Sequence, residues 1–125
     1  MRQPSDRKIY LVWQDAEHGD RFVVGELIQT PNDKYVFRYL HGQDLDEAKK
    51  RGFSTYPSFP DLKEEYHENV IESFSMRLPA RSRDDFKDFL NYWGIENSNI
   101  SDFDLLSITG CKLPTDHFEF IDPHT

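Results

Sequence analysis

Within its first forty residues the chain passes three times from a run of β-branched and aromatic residues to a cluster of turn formers. Residues 8–15 (KIYLVWQD), 21–30 (RFVVGELIQT) and 34–40 (KYVFRYL) are the runs. A polar stretch with Gly19 separates the first two, and Pro31-Asn32-Asp33 the last two. Strands this close in sequence, joined by short turns, pair antiparallel, so the first third predicts a three-stranded meander. Gly25 inside the second run marks a bulge or a close backbone approach. Residues 1–7 are polar and include a proline, as in a flexible lead-in.

The remainder changes character. Residues 44–51 (DLDEAKKR) suit a short helix with Asp44 as N-cap and Gly52 past its end. Residues 68–78 place Val70, Ile71, Phe74 and Leu78 on one helical face, which Pro79 ends. Ser82 with Asp85 three residues on suggests a capped start for a helix over 83–93. Its apolar face is Phe86, Phe89, Leu90 and Trp93, and Gly94 stops it. Residues 101–108 form a further capped helix closed by Gly110, and 118–121 (FEFI) a last strand able to join the meander. The expected class is α+β: a small antiparallel sheet, the meander plus a C-terminal strand, packed with three to four short helices. Residues 8–125 are expected to form one domain.

Charge narrows the function classes. The net charge is −8, with no basic stripe beyond Lys49-Lys50-Arg51, so direct nucleic-acid binding and anionic membranes are not expected. Ten Phe, six Tyr and two Trp compensate for a hydrophobic fraction of only 37%, because each ring removes a large area from water. One cysteine, no signal peptide and no long apolar run make the expected location cytoplasmic.

Catalytic patterns are sparse. His18, His41, His67, His117 and His124 are scattered, and no pair lies at i, i+4 on an expected helix. The nearest approach to a metal or nucleophile site is Cys111 with Asp116 and His117; a turn before the last strand explains the same residues. Glu64-Glu65 and Asp84-Asp85 resemble surface charge, the second pair suiting a helix start. The glycines form no phosphate loop, and kinase signatures are missing; Asp102-Phe103-Asp104 only superficially resembles one. The chain therefore reads as a non-enzyme with no cofactor and no metal.

What remains is residues 53–66, where Phe53, Tyr56, Phe59 and Tyr66 are interleaved with Pro57 and Pro60. Restrained aromatics make good partner-binding surfaces, so these four are the candidate binding residues. The competing reading is that the rings complete the core at one end of the sheet.

Several segments together resemble a known family. Val24-Gly25-Glu26-Leu27, an Asn-containing turn and Tyr35-Val36-Phe37-Arg38-Tyr39 are similar to the opening hairpin of HipA-type serine/threonine kinase toxins. Residues 71–79 (IESFSMRLP), Asp102-Phe103-Asp104-Leu105-Leu106 with Gly110, and residues 118–123 (FEFIDP) continue the resemblance in the family's order. Together they resemble the small N-terminal subdomain of HipA, over about residues 11–123. Residues 40–66 are longer and more aromatic than in that subdomain, and 111–116 replace a glycine-containing segment. The resemblance implies a stand-alone HipS-like antitoxin that binds a HipT-like kinase, with a HipB-like DNA-binding protein as a further partner. Residues 56–60 and the ending 118–121 also resemble a domain that begins larger HIRAN-type proteins, which implies the alternative of an accessory module in a DNA-associated system.

Overall fold

The computed structural model describes residues 7–32, 34–69, 73–74, 77–111 and 117–122. The three expected strands form as β1 (Arg7–Gln14), β2 (Arg21–Gln29) and β3 (Tyr35–Tyr39). The first helix is α1 (Gln43–Lys50), followed by β4 (Glu65–Glu68). Two more helices, α2 (Phe86–Tyr92) and α3 (Asp102–Thr109), precede β5 (Phe118–Ile121). All pairings are antiparallel, in the order β4-β3-β2-β1-β5. The class is α+β, an open five-stranded antiparallel sheet with three helices among the described residues.

Of the helix expected over 68–78, residues 70–72 and 75–76 lie outside the described residues; none of its described members is α-helical, and Glu68 instead ends β4. Glu65–Glu68 is extended and pairs with β3, setting Tyr66 opposite Phe37 and His67 opposite Val36. Successive strand side chains alternate, so β4 packs Tyr66 against the core and leaves Glu65 and His67 exposed. Val70 and Ile71 lie outside the described residues, while Phe74 is fully buried and Leu78 half-buried. Arg7, expected in the lead-in, begins β1, whereas residues 1–6 lie outside the described residues.

One sheet face builds the main core. Ile9, Leu11 and Trp13 pair with Leu27, Gly25 and Phe22; across β3, β4 and β5 come Phe37, Tyr39, Tyr66, Phe118 and Phe120. Leu45 and Ala48 of α1 and Phe103 and Leu106 of α3 cover this face. The register of β1 on β2 slips between Leu11 and Val12, a bulge that absorbs Val24. Gly25 beside it serves the close approach as well. A Cβ there would lie 2.7 Å from Phe37 Cζ, so the Phe37 ring occupies the space. A second small cluster, Phe86, Leu90, Ile100 and Leu105, ties α2 to α3.

The caps differ from expectation in two helices. Asp44 does not cap α1; its carboxylate accepts from the Val23 N–H of β2 at 2.9 Å, and Gly42 takes the cap position. The start of α2 moves from Ser82 to Asp85, because residues 80–86 form tight turns first. Ser101 caps α3 as expected, its hydroxyl accepting from Asp104 N, and Gly110 closes the helix at φ 73°. Arg51 at the end of α1 locks the β1–β2 turn, bonding Asp15 at 2.9 Å and Asp20 at 2.7 Å. Arg51 above all holds the Asp15 carboxyl down at about 2.

Candidate docking surface

Three of the four candidate binding rings are in the core. Phe53 is 5% exposed, Tyr56 7% and Phe59 2%; Tyr66, on β4, is half-buried. Phe59 stacks on Phe37 with centroids 4.3 Å apart and meets Tyr66 at 4.8 Å. Tyr56 packs against Phe74 and Phe118. Their contact area is used inside the domain. Tyr39 explains why the loop folds inward. Its buried hydroxyl donates to Phe59 O at 2.6 Å and accepts from Tyr56 N at 2.8 Å, closing residues 56–59 over β3. Burial pushes the Tyr39 hydroxyl up to about 12.

Outward-facing rings occur instead at the end of α2. Tyr92 is 84% exposed and Trp93 40%, and they meet edge to face with centroids 5.6 Å apart. Phe86 and Leu90 of the expected apolar face are buried, Phe89 is half-buried, and Trp93 projects past the edge of the cluster. Sequence reasoning missed Tyr92. Adjacent helical residues are about 100° apart, so two neighbouring rings cannot share one buried stripe, and that was the available signal.

Trp93 and Phe89 border a cleft of about 470 Å³ that also involves Arg77, Thr109, Cys111 and Glu119. Glu119 on β5 is held by Arg21 at 2.6 Å. Arg77, only 5% exposed, bonds Tyr56 Oη at 3.0 Å and the carbonyls of Cys111 and Phe118 at 2.9 and 3.1 Å. The cleft thus joins aromatic walls to a rigid polar floor, a combination suited to seating a partner's side chain.

The residues weighed as a reactive group are arranged otherwise. Cys111 is buried, its Sγ 3.0 Å from the Thr109 hydroxyl, and burial pushes its thiol up, against thiolate formation. His117 is exposed, and its carbonyl accepts from Gln14 N. Asp116 and His124 lie outside the described residues. Glu65 pairs with Arg38 and His67, and Asp85 with Arg83. No group of three His, Cys, Asp or Glu among the described residues stands close enough to hold a metal ion. No helix among them is long and apolar enough to cross a membrane.

The chain matches no family model, no curated protein and no solved structure.

Proposed function

We propose that this chain is a non-catalytic docking module, a HipS-like antitoxin that binds and restrains a HipT-like serine/threonine kinase toxin. The observation that carries the docking half is the exposed Tyr92–Trp93 pair, whose Trp93 borders a cleft. Tyr and Trp are the residues most enriched where binding energy concentrates, since they offer large contact area at low entropic cost. The kinase half is supported by the ordered HipA-like segments. The net charge of −8 suits a partner with a basic face and speeds encounter with it.

Co-expression with a HipT-like kinase from its own genome should rescue growth, and the two proteins should co-purify. The double variant Tyr92→Ser, Trp93→Ser should lose capture while melting within a few degrees of the parent, because both rings are exposed. No rescue and no co-purification overturns the kinase reading; undiminished capture by the double variant overturns the surface. Salt-sensitive DNA binding in a gel shift would instead favour the HIRAN-type accessory module.

A further inference from the structure

The two edges of the sheet are finished differently, and the register says which main-chain groups each presents. In an antiparallel ladder, alternate residues of a strand bond to alternate sides. Leu40 N bonds Val24 O, and Thr30 N bonds Lys34 O. The even-numbered residues of β3 therefore face β2, and Tyr35 and Phe37 face β4. Their partners Glu68 and Tyr66 point back at β3. Glu65 and His67 then direct their N–H and C=O groups away from the sheet. Among the described residues, none of these four groups has a main-chain or side-chain partner. Applied to β5, with Gln14 N on His117 O, the same alternation turns Phe118 and Phe120 outward. There Arg77 takes Phe118 O and Gly110 O takes Phe120 N, so that edge is closed by the domain itself.

We propose that the β4 edge is a strand-addition site for an extended, basic segment of a partner protein. An open edge dictates the occupant's conformation, because only an extended chain matches the outward groups of Glu65 and His67. The flanking side chains dictate its charge. Glu64, Glu65 and Glu68 surround the edge; Glu65 pairs with Arg38 at 3.4 Å, Glu68 accepts from the Ser73 hydroxyl at 2.7 Å, and among the described residues no cation pairs with Glu64 or Glu68. A second copy of this chain is disfavoured, since pairing β4 with itself sets these carboxylates against each other. Lysine or arginine on the added strand removes that repulsion and gains cross-strand pairs. The site lies four strand spacings, roughly 19 Å, from β5 and the aromatic cleft, so both surfaces can be engaged at once. The inference rests on the reading of the chain as a docking module.

The test uses the full chain and an eight-residue peptide alternating lysine with valine, and its glutamate–valine counterpart. Titration followed by amide NMR should move the Glu65 and His67 signals with the lysine peptide alone, with intermolecular contacts across the new pair. His67→Pro should keep the fold, because the proline removes an outward-facing N–H that no strand uses, and should weaken binding at least about tenfold. Should that variant fail to fold, Glu64→Lys with Glu65→Lys reverses the charge and should swap the preference to the glutamate peptide. The proposal is overturned by equal binding of both peptides, by unaltered binding to His67→Pro, or by no shift at Glu65 and His67 up to the solubility limit of the peptide. Dimerisation of the chain through these amides would name a second copy as the occupant and also overturn it. A chain that rescues growth yet ignores the peptide keeps the docking reading and loses this one.

Discussion

β4 and β5 are both four residues long, both lie at an edge, and both turn the main-chain groups of two residues away from the sheet. On β5 those residues are phenylalanines whose rings point into the core, and the main chain beside them is bonded by Arg77 and by Gly110. On β4 they are Glu65 and His67, exposed and, among the described residues, bonded only through their side chains. The difference lies in the segment that the fold lays beside each strand. α3 ends in two consecutive left-handed residues, Gly110 at φ 73° and Cys111 at φ 43°, which turn the chain back along β5. Nothing comparable runs beside β4 among the described residues. An edge closed by its own domain contributes to stability; an open edge is held by its face alone.

If that contrast is right, the β4 side should be sensitive at its face and indifferent at its edge. Phe59 is the face residue there, stacked on Phe37 and tilted against Tyr66. Phe59→Ala should destabilise by about 3–5 kcal/mol, the usual cost of emptying a buried ring site. Denaturant midpoints measure it. A loss under about 1 kcal/mol would return the ring to the surface and restore the loop as a binding element.

The β5 side should fail at its edge. Arg77→Met keeps the apolar stem but strips the donors from two carbonyls and from Tyr56 Oη. The expected cost is about 3 kcal/mol, since each buried acceptor left unsatisfied costs about 1–3 kcal/mol. Hydrogen exchange should locate the loss, with Phe120 N and its neighbours on β5 losing protection before β2 and β3. Uniform loss across the sheet would show that the guanidinium supports the whole core rather than one edge.

The contrast also explains what was legible in the sequence. The three-stranded meander, α1, α3 with its Ser101 and Gly110 caps, and β5 arise from local patterns that tertiary contacts did not override. β4 does not, because EYHE is short and charged, and only the pairing with β3 makes it a strand. The candidate site was misread for a related reason. Proline-spaced aromatics look the same whether they face solvent or a sheet, and the decision was made by one hydroxyl on Tyr39, seventeen residues upstream of Tyr56. Tyr92 and Trp93 carried a helical-phase signal. The state of an edge had none, because it depends on long-range packing that no local pattern encodes.

Tyr39 marks where the open edge stops. It ends β3 beyond the last pair with β4, and there its side chain, not a neighbouring strand, binds the next segment through Tyr56 N and Phe59 O. Tyr39→Phe leaves those two buried groups unpaired and should cost about 1–3 kcal/mol near neutral pH. The pH dependence gives a second reading. The hydroxyl is raised by burial to about 12, above the ordinary tyrosine value near 10, so the unfolded chain loses this proton first. The associated stability is complete below about pH 10 and is lost as the pH rises through about 12. The parent should therefore lose stability across that window while Tyr39→Phe does not, and the gap between them should narrow. Parallel alkaline limbs would mean that the loop is not held by this hydroxyl, and the β4 side would then have no fixed end.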